Sequence, residues 1–152
     1  MNANENRVYE HAQSGAWMGI PVLVMGVIPL LLGFWLPHAH ALWGLWILPI
    51  LVILAWLFRR FTIQVGAQDL SWWFGGGWYR KSVRRADIGS IRRVRTSWME
   101  GWGIHFSRYG VLYNIRGFDA VEVTLKSGAK FCLGTDEPEV LMAYLQGMDS
   151  PR

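Results

Sequence analysis

From Trp17 to Phe58 the chain contains no Asp, Glu, Lys or Arg. A surface helix of a water-facing domain carries a polar face opposite its apolar stripe, so this absence excludes an ordinary amphipathic reading of the segment. Cysteine is almost as scarce. Cys132 is the only one, which rules out an internal disulfide and accords with a reducing compartment. The chain also lacks a Walker sequence, a nucleophile elbow, a dinucleotide fingerprint and any regular metal-ligand spacing, so it reads as a non-enzyme with no cofactor. There is no low-complexity tract and no repeat of useful length.

The charge-free segment consists of two apolar runs, Trp17 to Leu36 and Ala41 to Phe58, flanking Pro37, His38, Ala39 and His40. At 1.5 Å per residue they would reach about 30 and about 27 Å as helices, close to the thickness of bilayer hydrocarbon. They predict a transmembrane helical hairpin over residues 17–58, preceded by a tail of residues 1–16. Trp17 and Trp56 would lie near one interface, Trp35 and Trp43 near the other. Gly19, Gly26 and Gly33 recur every seven residues and are candidate helix-packing positions, where a neighbouring backbone approaches closely. Pro21, Pro29 and Pro49 predict kinks. His38 and His40 could share a metal or a haem, but with no Cys, Asp or Glu nearby they read as polar loop residues.

Fourteen of the fifteen basic residues follow Phe58, and Arg59 and Arg60 abut the second run directly. By the positive-inside rule both termini should be cytoplasmic, with His38 and His40 facing outward. Cleavage at Ala39-His40-Ala41 as a signal peptide is the rival, disfavoured by the length of the first run and by the second run that follows it.

Residues 59–148 read as one small domain and 149–152 as a tail. The N-terminal residues are either a frayed tail or a strand docked on that domain. Phe61, Ile63 and Val65, then Leu70, Trp72 and Phe74, alternate with more polar neighbours, as half-buried strands do. Gly75-Gly76-Gly77 reads as a hairpin turn rather than a phosphate cradle. A one-turn helix at Asp87 should feed a strand from Ser90. Further strands are predicted at Gly103–Phe106, Val111–Ile115, Val121–Leu125 and Phe131–Leu133. A three-residue loop, Ser127 to Ala129, would set Phe131 opposite Leu125. Asp136 and Glu139 have capping-box spacing for a final helix, whose apolar stripe is Leu141, Tyr144, Leu145 and Met148.

Gly101-Trp102-Gly103-Ile104, Gly110-Val111-Leu112-Tyr113-Asn114, Asp119-Ala120-Val121-Glu122-Val123 and Gly134-Thr135-Asp136-Glu137-Pro138-Glu139 carry a resemblance. Together they resemble small bacterial membrane proteins in which a pleckstrin-homology-like (PH-like) domain follows two spans. The resemblance implies an α+β membrane protein: a transmembrane helical hairpin, then a PH-like antiparallel β-sheet or barrel with a C-terminal capping helix. It further implies multi-pass residence in the bacterial inner membrane. It brings no catalytic motif.

Residues 59–95 carry nine basic side chains against Asp69 and Asp87, a net of +7. Arg59, Arg60, Arg80, Lys81, Arg84, Arg85, Arg92 and Arg93 are thus the candidate contacts for anionic lipid, each attracted by about 1 kcal/mol to such a surface. The expected function is a membrane-anchored binding or scaffolding module, contacting anionic headgroups or a protein partner from the membrane or the cytoplasm, but not nucleic acid. The alternative is an accessory or assembly subunit that packs through its helices in a larger membrane complex.

Overall fold

Alternation of apolar and polar side chains shapes the chain beyond Phe58. The structure, a computed structural model, describes residues 7–28, 31, 41–97, 103–107 and 109–147. Strands β2 (Arg60–Gly66), β3 (Asp69–Phe74) and β4 (Tyr79–Arg84) form an antiparallel meander. Phe61 lies opposite Phe74, Ile63 opposite Trp72 and Val65 opposite Leu70, and all six side chains are buried. The N-terminal residues complete this sheet as β1 (Arg7–Ser14), antiparallel to β2, which settles the choice between frayed tail and docked strand.

A 3-10 turn at Arg85–Asp87 leads into β5 (Ile88–Arg95), the first strand of a second sheet. That sheet also holds β6 (Gly103–Ser107), β7 (Gly110–Asn114), β8 (Asp119–Leu125) and β9 (Lys130–Gly134), in the order β5-β8-β9-β7-β6. β9 lies between β8 and β7, antiparallel to the first and parallel to the second. The uniformly antiparallel PH-like sheet implied by the resemblance is therefore corrected to an α+β fold with two sheets, one of them mixed. Gly110 permits the parallel pair: its φ is +95°, and a Cβ there would overlap the Lys130 carbonyl.

The turn before β9 has three residues, but they are Lys126 to Gly128, and Phe131 faces Val123 rather than Leu125. A shift of two positions preserves the face of every side chain, so the apolar pattern tolerates it. Val121, Val123, Phe131 and Leu133 join the six buried residues of β2 and β3 in one core between the sheets. Trp72 is its centre, stacked on Phe131 at 4.7 Å and 5.4 Å from the ring of Tyr113.

The charge-free segment forms an arm between β1 and β2. It begins with a 3-10 turn at Ala16–Met18, one α-helical turn α1 (Gly19–Val22) and a π-helical turn (Leu23–Val27). After residues outside the described set comes α2 (Ala41–Leu57). The transmembrane hairpin is corrected here: among the described residues no helix is long and apolar enough to cross a membrane. Pro21 removes a helical donor, and glycines at 19 and 26 weaken helix propensity, so residues 16–27 divide into short turns. The 17 residues of α2 extend about 26 Å, short of a roughly 30 Å hydrocarbon core. With that finding the multi-pass inner-membrane placement, with both termini cytoplasmic, loses its basis. Gly26 does lie against Leu48 of α2, whereas a Cβ at Gly19 would meet open space. Gly33, Pro29, Trp35, His38 and His40 fall outside the described residues.

The final helix α3 (Pro138–Leu145) closes one end of the core. Its expected capping box does not form. Asp136 bonds His11 on β1, Glu139 bonds Arg93 on β5, and Thr135 Oγ instead accepts from the Glu137 amide at 3.1 Å. Leu141 is fully buried, while Tyr144 and Leu145 are partly exposed; Met148 lies outside the described residues. Leu141→Ala should therefore cost about 2–5 kcal/mol and Leu145→Ala clearly less. Denaturant melts of the full chain check this, and a wild-type midpoint for Leu141→Ala would contradict the placement of the helix.

Candidate anion-binding collar

Half of the predicted basic belt is tied to carboxylates or backbone carbonyls within the protein. Arg84 forms a fork on Asp87, with contacts of 2.9 and 3.2 Å. Arg85 donates to the carbonyls of Gly66, Tyr144 and Leu145, the last two at the C-terminus of α3, where a cation also complements the helix dipole. Arg92 pairs at 2.7 Å with Glu122, a side chain only 5% exposed that also lies 3.7 Å from Lys130. Arg93 bridges Asp119 at 3.0 Å and Glu139. These carboxylates hold the Arg92 and Arg93 guanidiniums even further into their charged form, chiefly through the hydrogen bonds that Glu122 and Asp119 accept from them.

Four predicted cations have no carboxylate partner among the described residues, and they do not share one face. Arg80 stacks over Trp73 at 4.8 Å on the outer side of the first sheet. Its neighbour Lys81 points the other way, toward Tyr79 and Tyr113; hydrogen bonding to Tyr113 raises its pKa. Arg59 and Arg60 stand where the arm rejoins the sheet.

That junction is tightly built. Ser14 pairs with Arg60, the Gly15 amide donates to Arg59 O at 2.8 Å, and the Gly75 amide donates to Arg60 O at 2.7 Å. Gly15 is required because a Cβ would overlap the Phe58 carbonyl. Two indoles brace the foot of the arm through N–H donation: Trp17 to Ile115 O and Trp78 to Leu57 O, each at 2.8 Å. The Arg59 guanidinium lies 5.7 Å from the ring centre of Trp56. Beside it opens a cleft of about 540 Å³ lined by Ala12, Gln13, Ser14, Ala16, Arg59 and Arg60. A second cleft of about 320 Å³ adjoins it through Ser14 and Ala16 and adds Trp17 and Arg116. No Asp or Glu is among the described residues lining either cleft.

Arg116 was not among the residues expected at a site. Nothing local marks it; only the topology brings the β7–β8 turn to the foot of the arm. The three guanidiniums and three indoles form a collar beneath a strongly apolar surface. Ile20, Met25 and Leu31 in the first part of the arm, and Trp46, Ile50, Ile53 and Trp56 in α2, are each more than half exposed.

Further back along the same strand, His11 links β1 to the start of α3. Its Nε2 lies 2.6 Å from Asp136 Oδ1 and its Nδ1 3.5 Å from Glu137, to which Tyr9 also donates. Among the described residues there is no group of three or more potential metal ligands.

Comparison with known proteins finds no matching family model, no matching curated protein and no matching solved structure. The resemblance read between residues 101 and 141 is accordingly corrected: it identifies no family for this chain.

Burial, followed by the carboxylates of Glu137 and Asp136, raises the Tyr9 phenol above its ordinary value of about 10. The folded state therefore holds this proton more tightly than the unfolded chain. The associated stability is fully present below about pH 9 and is lost as pH rises past about 10. Thermal midpoints should fall along that alkaline limb, and Tyr9→Phe should make the fall shallower. An identical slope in the two proteins would contradict the placement of Tyr9 against the acidic pair.

Proposed function

We propose that this chain is a binding module for an anionic lipid surface, seated by the Arg59–Arg60–Arg116 collar with the arm's apolar faces in the lipid. The single observation that carries this reading is the juxtaposition of carboxylate-free guanidiniums and indoles at the foot of an exposed apolar arm. α2 is apolar around its whole circumference, so an amphipathic docking on water-exposed protein would leave part of it wet. Acyl chains satisfy the faces that the first part of the arm leaves uncovered. Indoles favour the level where apolar and wet environments meet, and guanidiniums there reach anionic headgroups. A binding rather than catalytic role accords with the lack of nucleophile and metal-ligand motifs in the sequence.

Full-length protein should co-sediment with vesicles containing acidic phospholipid and only weakly with purely zwitterionic ones. Arg59→Gln, Arg60→Gln and Arg116→Gln together should weaken that binding on the order of a hundredfold, taking about 1 kcal/mol per cation. Salt should weaken but not abolish it, because screening shortens exposed electrostatics to about 8 Å at physiological ionic strength while leaving apolar burial intact. Replacing Arg84, Arg85, Arg92 and Arg93 by Gln should lower stability and leave vesicle affinity nearly unchanged. Loss of binding in that folded quadruple variant, with the collar variant unaffected, would overturn the assignment. Failure of wild type to bind vesicles, with a stoichiometric protein co-purifying on the arm, would favour a subunit role instead.

A further inference from the structure

We propose that the cleft between the end of β1 and the start of β2 is a site for one phosphomonoester headgroup of a lipid. This rests on the lipid-surface reading of the collar and goes beyond it, since attraction by net charge requires no cleft and does not distinguish headgroups of equal charge. The cleft, about 540 Å³, is lined by two successive arginines, Arg59 and Arg60, and its described lining contains no acid. Guanidinium forks match phosphate oxygens in a bidentate geometry that an ammonium does not reproduce. The Trp56 ring 5.7 Å from Arg59 engages the guanidinium by its face, leaving the in-plane N–H edges to donate.

Ser14 contributes a third donor. Its Oγ accepts from the Ala16 amide at 3.3 Å, so its own proton is directed elsewhere. Arg116 lines the adjoining cleft, which shares Ser14 and Ala16, and adds a further positive charge. A phosphomonoester carries about −1.5 to −2 near pH 7, matching two guanidiniums better than a singly charged diester or carboxylate headgroup does. The lipid source follows from position: the cleft opens beside the apolar arm, so an acyl-tethered phosphate arrives already at the right depth.

The test compares vesicles of zwitterionic lipid doped with phosphatidic acid or with phosphatidylserine, matched in surface potential, using the full chain. The expected result is an affinity for phosphatidic acid at least about tenfold higher. Arg59→Lys with Arg60→Lys keeps the charge but removes both forks, and should bring the ratio to about one. Neither guanidinium makes a hydrogen bond within the described protein, so this variant should melt like wild type; Arg60→Lys alone is the second, milder variant. Soluble glycerol 3-phosphate should compete only at millimolar concentration. A wild-type ratio near one with both vesicles bound overturns this site and leaves the collar standing. Binding to neither vesicle overturns the collar and the site together. Tight binding of glycerol 3-phosphate in the absence of vesicles overturns the lipid source.

Discussion

The pairing of β1 with β2 is the constraint on which the rest of the structure depends. Ser14 lies opposite Arg60, so both ends of the charge-free arm are brought to one point on the sheet. Adjacent antiparallel strands are ordinarily joined by a few residues; here the connection is the whole apolar arm. The close approach at Gly15 and the indole hydrogen bonds of Trp17 and Trp78 fix the direction in which the arm leaves. Without β1 in register, Arg59 and Arg60 would flank a flexible tether instead of lining a cleft.

A second principle sorts the cations. Carboxylates take Arg92 and Arg93 of β5, and leaving Glu122 unpaired at 5% exposure would cost its full desolvation. Arg85 serves the end of α3, and Arg84 is tied to Asp87. Of the cations without a carboxylate partner among the described residues, Arg59, Arg60 and Arg116 come together beside the arm.

Legibility from sequence divides along the same line. The strands through Phe61 to Phe74 were legible because burial of one face imposes period two, and each expected apolar position is buried. The two-residue offset at Lys126–Gly128 was not, because it leaves the same face inward. The capping box at Asp136 and Glu139 has the right spacing, yet its side chains are drawn to His11 and Arg93, partners remote in sequence. The same remoteness concealed the pairing of Arg92 with Glu122 and the arrival of Arg116 at the collar. For the arm, hydropathy registered apolar content but not how Pro21 and the glycines divide residues 16–27 into short turns. A window average carries no information about hydrogen-bond continuity. The resemblance failed because short glycine- and aromatic-containing strings recur in β-rich domains without fixing strand order.

The central claim, that the collar seats the arm in an anionic bilayer, is tested most directly by measuring depth. In a background with the buried Cys132 replaced, nitroxide labels at Ile50 of α2 and at Ser82 of β4 can be probed by oxygen and by a water-soluble nickel complex. With acidic vesicles present, the account predicts that the label at Ile50 becomes oxygen-accessible and shielded from nickel, while that at Ser82 stays in water. Nickel accessibility at both positions in the vesicle-bound protein would contradict it.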